Sequence, residues 1–326
     1  MAANPKTDAP VPDILAHAAE VASAAPSIHN SQPWRWEVDG DRLELYAERS
    51  RQLAATDPEG RMLTISCGAT LHHARLALAG WGWQTQVDRL PDGEGDLLAR
   101  IRLEGAIPIT AEAEQLFRTI GHRHTDRRPV ANRPVPPDAL QALAAAAYAE
   151  GARLQLLHTE QVDDLASATA HAAEIDASDP AIQAELTDWA GGQRTELGLP
   201  DEVIPSRPPQ TNVASREFGG SGSLPIGDDH DKTAAYGLLY GDEDNQLGWL
   251  RGGEALSALW LTAVRLGLGI MPISEPVEVP AGRQILRRSL SYLGWPYLAV
   301  RVGIPADGTE PEATPRLPAS ETVHKH

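Results

Sequence analysis

A chain of 326 residues, 42% hydrophobic and 22% charged, is long enough for one large domain or two ordinary ones with proper cores. Its formal net charge of −17 sets the overall field against a nucleic-acid backbone, and its single cysteine, Cys67, excludes an intrachain disulfide and a multi-cysteine metal site. The apolar run from Val11 to Ala25 is broken by Pro12, Asp13, His17, Glu20 and Ser23, and no later window reaches the roughly 18 apolar residues of a membrane span, so no secretory or membrane segment is expected and the cytoplasm is the expected location.

In chain order, Val11-Pro12-Asp13-Ile14-Leu15 opens an Ala-rich helix, since proline and a carboxylate suit a first turn whose N–H groups have no helical acceptor. It gives way to Ala25-Pro26-Ser27-Ile28-His29-Asn30-Ser31-Gln32-Pro33-Trp34, small polar side chains held between two prolines. Each proline fixes its own φ and biases the preceding residue away from the helical region, so the segment is expected to be rigid and extended, a loop suited to a polar ligand. An ordinary turn after a helix would use the same residues. Arg42 to Tyr46 alternates as a strand. Gly68 to Trp83 is apolar on nearly every side, as in a helix buried all round, and Cys67 at its start reads as a packed small residue. Strands follow at Gln84 to Val87 and Leu97 to Leu103. The run from His122 to Arg128 is by composition a solvated basic patch; its two histidines lack a third ligand at metal-like spacing, so no metal site is expected.

The order then returns. Val135-Pro136-Pro137-Asp138 opens a second Ala-rich helix, Arg153 to Leu157 a second short strand, Gly253 to Leu268 a second all-round apolar helix, and Tyr297 to Val302 a strand after it. Gly68 to Trp83 and Gly253 to Leu268 align without a gap at Gly68/Gly253, Leu71/Leu256, Leu76/Leu261 and Gly82/Gly267. Chance likeness of Ala/Leu-rich helices could account for the helices alone. The shared order of elements points instead to an α+β protein of two related halves, residues 11-110 and 111-320, packed as an internal pseudo-dimer. Each half is expected to hold a mainly antiparallel sheet, with the central helices near the shared axis. An insert at 162-245 separates strand from central helix in the second half. Val162 to Trp189 reads as helix, and Pro205 to Lys232 as an aperiodic stretch, either a lid or disorder.

With the halves aligned, the polar elements resemble those of the flavin-dependent nitroreductase family, most closely its tandem Acg-type branch, over nearly the whole chain. That resemblance implies a nitroreductase-like fold with FMN at the interface between halves, bound by a Pro-Ser-x-x-Asn-x-Gln-Pro-Trp loop from one and an Arg-x-Ser element from the other. Pro26 to Trp34 matches the loop at every fixed position, and Arg123-His124-Thr125-Asp126-Arg127 resembles the second element with Thr for Ser. It follows from the resemblance that Arg123 and Thr125, with His124 and Arg127 beside them, face the phosphate, where a planar fork of donors is suited to an anion. Pro26, Ser27, Ile28 and Asn30 would border the ribityl chain or pyrimidine edge. Pro272, Ile273 and Ser274 would lie along the flavin's reactive edge, although Ser274-Glu275 stands where the family has Glu-Gly. Arg316 is a second phosphate candidate, or a lone charge in a Pro-rich tail. Neither Ala147 to Ala152 nor Pro5 to Pro10 repeats the two elements, which implies one FMN per chain and a monomer in solution. The implied activity is FMN-dependent oxidation of NADH or NADPH with reduction of nitroaromatics, quinones or a related small acceptor, no side chain being required as acid or base. The alternative is a protein that sequesters FMN under its lid with little turnover. No Gly-rich nicotinamide fingerprint is visible, and neither a nucleic-acid nor a membrane partner is expected.

Overall fold

The computed structural model describes residues 9–192, 194–218, 222–227, 231–306 and 311–326. The chain runs through α1 (Val11–Ala22), β1 (Trp34–Asp39), β2 (Arg42–Ala47), α2 (Arg61–Gly80), β3 (Trp83–Arg89), β4 (Leu97–Ala106) and α3 (Ala111–Thr119). It continues through α4 (Pro137–Ala149), β5 (Arg153–Leu156), α5 (Thr159–Ser178), α6 (Pro180–Trp189), β6 (Ala235–Gly241) and α7 (Gln246–Arg265). Last come β7 (Gly269–Ile273), α8 (Glu275–Glu278), α9 (Pro280–Ser289), β8 (Trp295–Gly303), α10 (Ala319–Thr322) and β9 (Val323–Lys325).

Two sheets result, ordered β3-β4-β2-β1-β9 and β5-β6-β8-β7. Every pairing is antiparallel except that of β1 with β9, so the end of the chain returns to the first sheet. The fold is α+β, with helices packed on mainly antiparallel sheets. Each sheet has its own apolar core, and the cores interlock: Met62 and Ile65 of α2 belong to the core of the second sheet, while Leu250 of α7 belongs to that of the first.

The aligned glycines explain how α2 and α7 come together. A Cβ on Gly68 would collide with the Leu250 carbonyl oxygen and fall 2.8 Å from Gly253 Cα, and a Cβ on Gly253 would collide with the Ile65 carbonyl oxygen. Backbone packs directly on backbone, which only glycine at both positions allows. Both helices are buried on nearly every side, as their uninterrupted apolar patterns require.

Two local expectations are corrected. Val162 to Trp189 is two helices: Pro180 forces Asp179 to extended backbone, and the Asp179 side chain accepts from Ala181 N at 2.8 Å to cap the second. Strands β1, β6 and β7 were hidden in the sequence, the last because Pro272 disguises an edge strand as a loop. Among the described residues, no helix is long and apolar enough to cross a membrane.

Candidate functional site: a two-chambered cavity with an unneutralised arginine cluster

The Pro26–Trp34 loop is coiled rather than extended. The prolines fix only its ends, and between them Ile28–Asn30 makes a 3-10 turn with φ of 44° at His29, 54° at Asn30 and 47° at Gln32. Non-glycine residues in that region cost of order 1 kcal/mol or more each and persist only where their surroundings over-determine them. Here the surroundings do. Ser66 Oγ of α2 accepts from Ile28 N at 3.1 Å, Ser27 Oγ accepts from Gln32 N at 2.9 Å, and Gln32 Oε1 accepts from Leu317 N at 2.9 Å. Asn30 Nδ2 donates to the carbonyls of Gly198 and Pro315 at 3.1 and 3.0 Å, and Asn30 Oδ1 accepts from Arg316 Nη1 at 3.0 Å. The loop therefore knots together the insert, α2 and the C-terminal tail.

The basic stretch is no solvated patch. Thr125 forms a parallel bridge with Ile270, and Asp126 N donates to the Ile270 carbonyl at 3.1 Å, so the stretch is sewn to the outer edge of β7. Arg123 is buried; its guanidinium lies 4.6 Å from the Trp260 ring centroid and donates to the Ala24 carbonyl at 3.2 Å. Arg316 donates to that same carbonyl at 3.2 Å. Among the described residues no carboxylate lies within ion-pair distance of Arg123, Arg127 or Arg316, and Nε of both Arg123 and Arg316 is buried without a partner. Burial, with Arg316 adding to it, pushes the Arg123 guanidinium down to about 9. Burial pulls Arg127 down to about 10, against the opposing charge of Asp126, and burial alone takes Arg316 to about 10. Cations under that stress call for an anion.

These elements enclose two adjoining chambers. The larger has about 940 Å³ of empty space, part of it open to solvent, and an apolar lining that includes Ile28, Met62, Leu256 and Trp260 together with Pro272, Ile273 and Ser274 along β7. The smaller has about 430 Å³ and holds Asn30, Arg123, His124 and Arg316. Pro26, Ser27, His29, Thr125 and Arg127 line both. All twelve residues singled out in the sequence thus converge on one cavity, from positions as far apart as 26 and 316. The mix of apolar wall with a few polar groups is that of a small-molecule or cofactor site. Among the described residues no cluster of His, Cys, Asp or Glu is placed to hold a metal.

The insert supplies a wall that the sequence did not specify. Pro205, Ala214, Ser215, Arg216 and Phe218 line the larger chamber, while Leu199 and Val203 line the smaller. The Arg216 side chain is 7% exposed and reaches Glu278 at 2.5 Å, Glu275 at 3.3 Å, Asp176 at 3.5 Å and His29 Nε2 at 3.1 Å. Burial holds the Glu275 carboxyl up at about 7 in spite of Arg216. Gly219 to Ser221 and Asp228 to His230 of the expected lid lie outside the described residues. Arg216, Phe218, Glu275, Trp260 and His29 escaped sequence reasoning. His29 stood inside the motif at a position the family leaves open, and Arg216 lay in a stretch without periodicity.

Across the α2/α7 pair, the segment Ala147 to Ala152, where a second loop was sought, carries Glu150 into an ion-pair network. Arg75 Nη1 donates to Glu150 at 2.5 Å and to Glu254 at 2.7 Å, and Arg89 grips Glu254 through Nε and Nη2 at 2.6 and 2.8 Å.

Comparison with known proteins finds no matching family model. The chain is 37% identical over 310 residues to the Mycobacterium tuberculosis protein named "Putative NAD(P)H nitroreductase Rv3131", covering 93% of this chain and 89% of that one. It is 32% identical over 325 residues to the same organism's "Putative NAD(P)H nitroreductase acg", with 96% of each chain covered. A solved nitroreductase with bound FMN from Desulfitobacterium hafniense superposes on 64% of this chain and 95% of its own at 14% identity and a TM-score of 0.41.

Proposed function

This chain belongs to the nitroreductase family, and we propose that it is an FMN-binding, NAD(P)H-dependent oxidoreductase with one flavin per chain, reducing nitroaromatics, quinones or a related small acceptor. The observation that carries the reading is the cluster of Arg123, Arg127 and Arg316, three guanidiniums lining one cavity in which, among the described residues, Glu312 is a lining carboxylate but none comes within ion-pair reach of them. A phosphate of charge near −2 would relieve the electrostatic stress and occupy the unpartnered Nε groups. The Thr125 hydroxyl stands in the same wall. The apolar chamber beside the cluster suits a flat heteroaromatic ring, with Trp260 and Ile28 on its walls and the edge of β7 along one side.

FMN, when bound, would accept hydride from a nicotinamide and pass electrons to the acceptor. The protein's share is placement and exclusion of water. Arg123 and Arg316 would hold the phosphate end, and Asn30, whose amide is engaged by protein groups, would act by fixing Arg316. Arg216 and Phe218 close the wall of the ring chamber from the insert.

Residues 11-110 and 111-320 are read as the two partners of an internal pseudo-dimer, a reading supported by equivalent glycines at the crossing of α2 and α7. A monomer in solution follows. A second reading, FMN storage with little turnover, draws support from the same wall: Arg216 is tied to three carboxylates and a histidine directly over the ring chamber.

The test is the visible spectrum of the purified protein, followed by anaerobic addition of NADH and NADPH separately. A yellow protein that bleaches is the expected result. Yellow without bleaching favours storage, and a colourless protein that takes up no added FMN overturns both.

A further inference from the structure

The two chambers share His29, and its ring nitrogens have different surroundings. Nε2 lies 3.1 Å from Arg216 Nη1, and a guanidinium only donates, so Nε2 is an acceptor. Burial first, then the charges of Arg216 and Arg127, hold the imidazole well below its ordinary pKa, which makes the ring neutral. A neutral ring that accepts at Nε2 carries its proton on Nδ1. That Nδ1 is buried and has no partner among the described residues, on a side chain belonging to a residue only 7% exposed. The ring is fixed from several directions: the backbone sits at φ 44°, the Ile28 and Gln32 amides are tied on either side, and Phe218 meets the imidazole edge-on at 5.4 Å. A buried donor without a partner, on a residue that lines both chambers, needs an account, and a bound ligand supplies one.

We propose that His29 donates a hydrogen bond from Nδ1 to an unprotonated oxygen or nitrogen of the molecule that spans the two chambers, and that Arg216 is a positioning residue which sets the tautomer. The assignment rests on the FMN reading above, in which the spanning part is the sugar-alcohol chain or the adjoining ring edge. It makes the insert part of ligand recognition: Arg216 selects which nitrogen of His29 faces the ligand.

The experiment uses the full-length protein labelled with 15N-histidine, with long-range 1H–15N spectra taken with and without FMN. FMN affinity is measured in parallel by quenching of flavin fluorescence for the wild type, His29→Asn, His29→Ala and Arg216→Met. The expected wild-type tautomer has the proton on Nδ1, and saturating FMN shifts the Nδ1 resonance. His29→Asn keeps an amide donor near Nδ1 and tolerates positive φ, so it should retain FMN within about threefold of wild type. His29→Ala should weaken binding about tenfold, the equivalent of one hydrogen bond. Arg216→Met should mix the His29 tautomers. Thermal melts of the FMN-free variants identify any that fail to fold, and the wild-type spectra do not depend on them. A proton on Nε2, an Nδ1 resonance unmoved by saturating FMN, or equal affinity of His29→Ala and wild type overturns the assignment and leaves the cofactor reading standing. A wild type that binds no FMN overturns the cofactor reading and this assignment with it.

Discussion

Two arginine clusters lie against the α2/α7 pair, one at Glu254 and one at Trp260, and they have been resolved in opposite ways. Around Arg75 and Arg89 the charges are complete: Glu254, fully buried, accepts from both, and Glu150 takes a further bond from Arg75. Among the described residues no carboxylate comes within ion-pair reach of Arg123, Arg127 or Arg316; Arg123 lies against Trp260, Arg123 and Arg316 share the Ala24 carbonyl, and Arg127 donates to the Val203 carbonyl. In the alignment of the two central helices Arg75 stands where Trp260 stands in the other copy. Where the chain supplies its own counter-charges the region is filled with structure; where it withholds them the region is a cavity. Enclosed charge left unpaired marks a ligand's place better than cavity shape does, because its cost must be offset by something that binds.

The comparison can be broken most forcefully at Glu254. Glu254→Gln leaves Arg89 without a carboxylate and Arg75 with Glu150 alone, and should lower unfolding free energy by roughly 3–5 kcal/mol in urea titrations while sparing the proposed FMN site. A loss below about 1 kcal/mol would mean that the network is ornamental.

The next effect concerns pH. Burial raises the Glu275 carboxyl from 4.5 to about 7, so its protonated form suits the folded state: the stability it contributes is whole below about pH 4.5 and is lost as pH rises through about 7. Burial would raise Glu150 too, but His72 and Arg75 outweigh it and its pKa is lowered, so its contribution is present above 4.5 and lost on acidification. Glu275→Gln, whose neutral amide mimics the protonated carboxyl, should therefore match wild type near pH 4.5, and wild type should lose on the order of 3 kcal/mol relative to it as pH rises to 7. The stability gap between wild type and Glu150→Gln should shrink in the other direction, below pH 4.5. Thermal melts of the FMN-free proteins across pH decide it, and gaps that run in parallel would refute the contrast.

Arg123→Met tests the unpaired cluster. It should weaken FMN binding about thirtyfold, the equivalent of about 2 kcal/mol for charge-assisted hydrogen bonds, and yet leave the FMN-free protein as stable as wild type or more so, since an unpaired buried cation is removed. Destabilisation of the FMN-free protein would show that Arg123 serves the fold. The smallest effect is expected at Asn30→Ala, which loses an anchor of Arg316 and a side chain suited to positive φ; FMN affinity should fall about fivefold, about 1 kcal/mol, by fluorescence titration.

Much of the site was legible through the resemblance to a family rather than locally. A proline-bounded polar loop reads alone as an ordinary turn and the stretch from His122 to Arg128 as a solvated basic patch, and only the two elements taken together pointed to one site. The coil of the Pro26–Trp34 loop was not legible, since positive φ at His29, Asn30 and Gln32 is imposed by Ser66, Leu317 and the carbonyls of the insert and tail, all distant in sequence. Arg216 was illegible for the same reason: its partners Asp176, Glu275, Glu278 and His29 come from three other segments.

The sequence by itself determined the α+β class and the repeated apolar helices, because these follow from periodicity and side-chain chemistry, while the grouping of the twelve site residues came from the resemblance to a family. Tertiary structure alone decided which charges are neutralised and which are left for a ligand. That distinction is a matter of a few ångströms between residues such as Arg75 and Glu254, or Arg123 and the carboxylates that do not reach it, and no spacing along the chain encodes it.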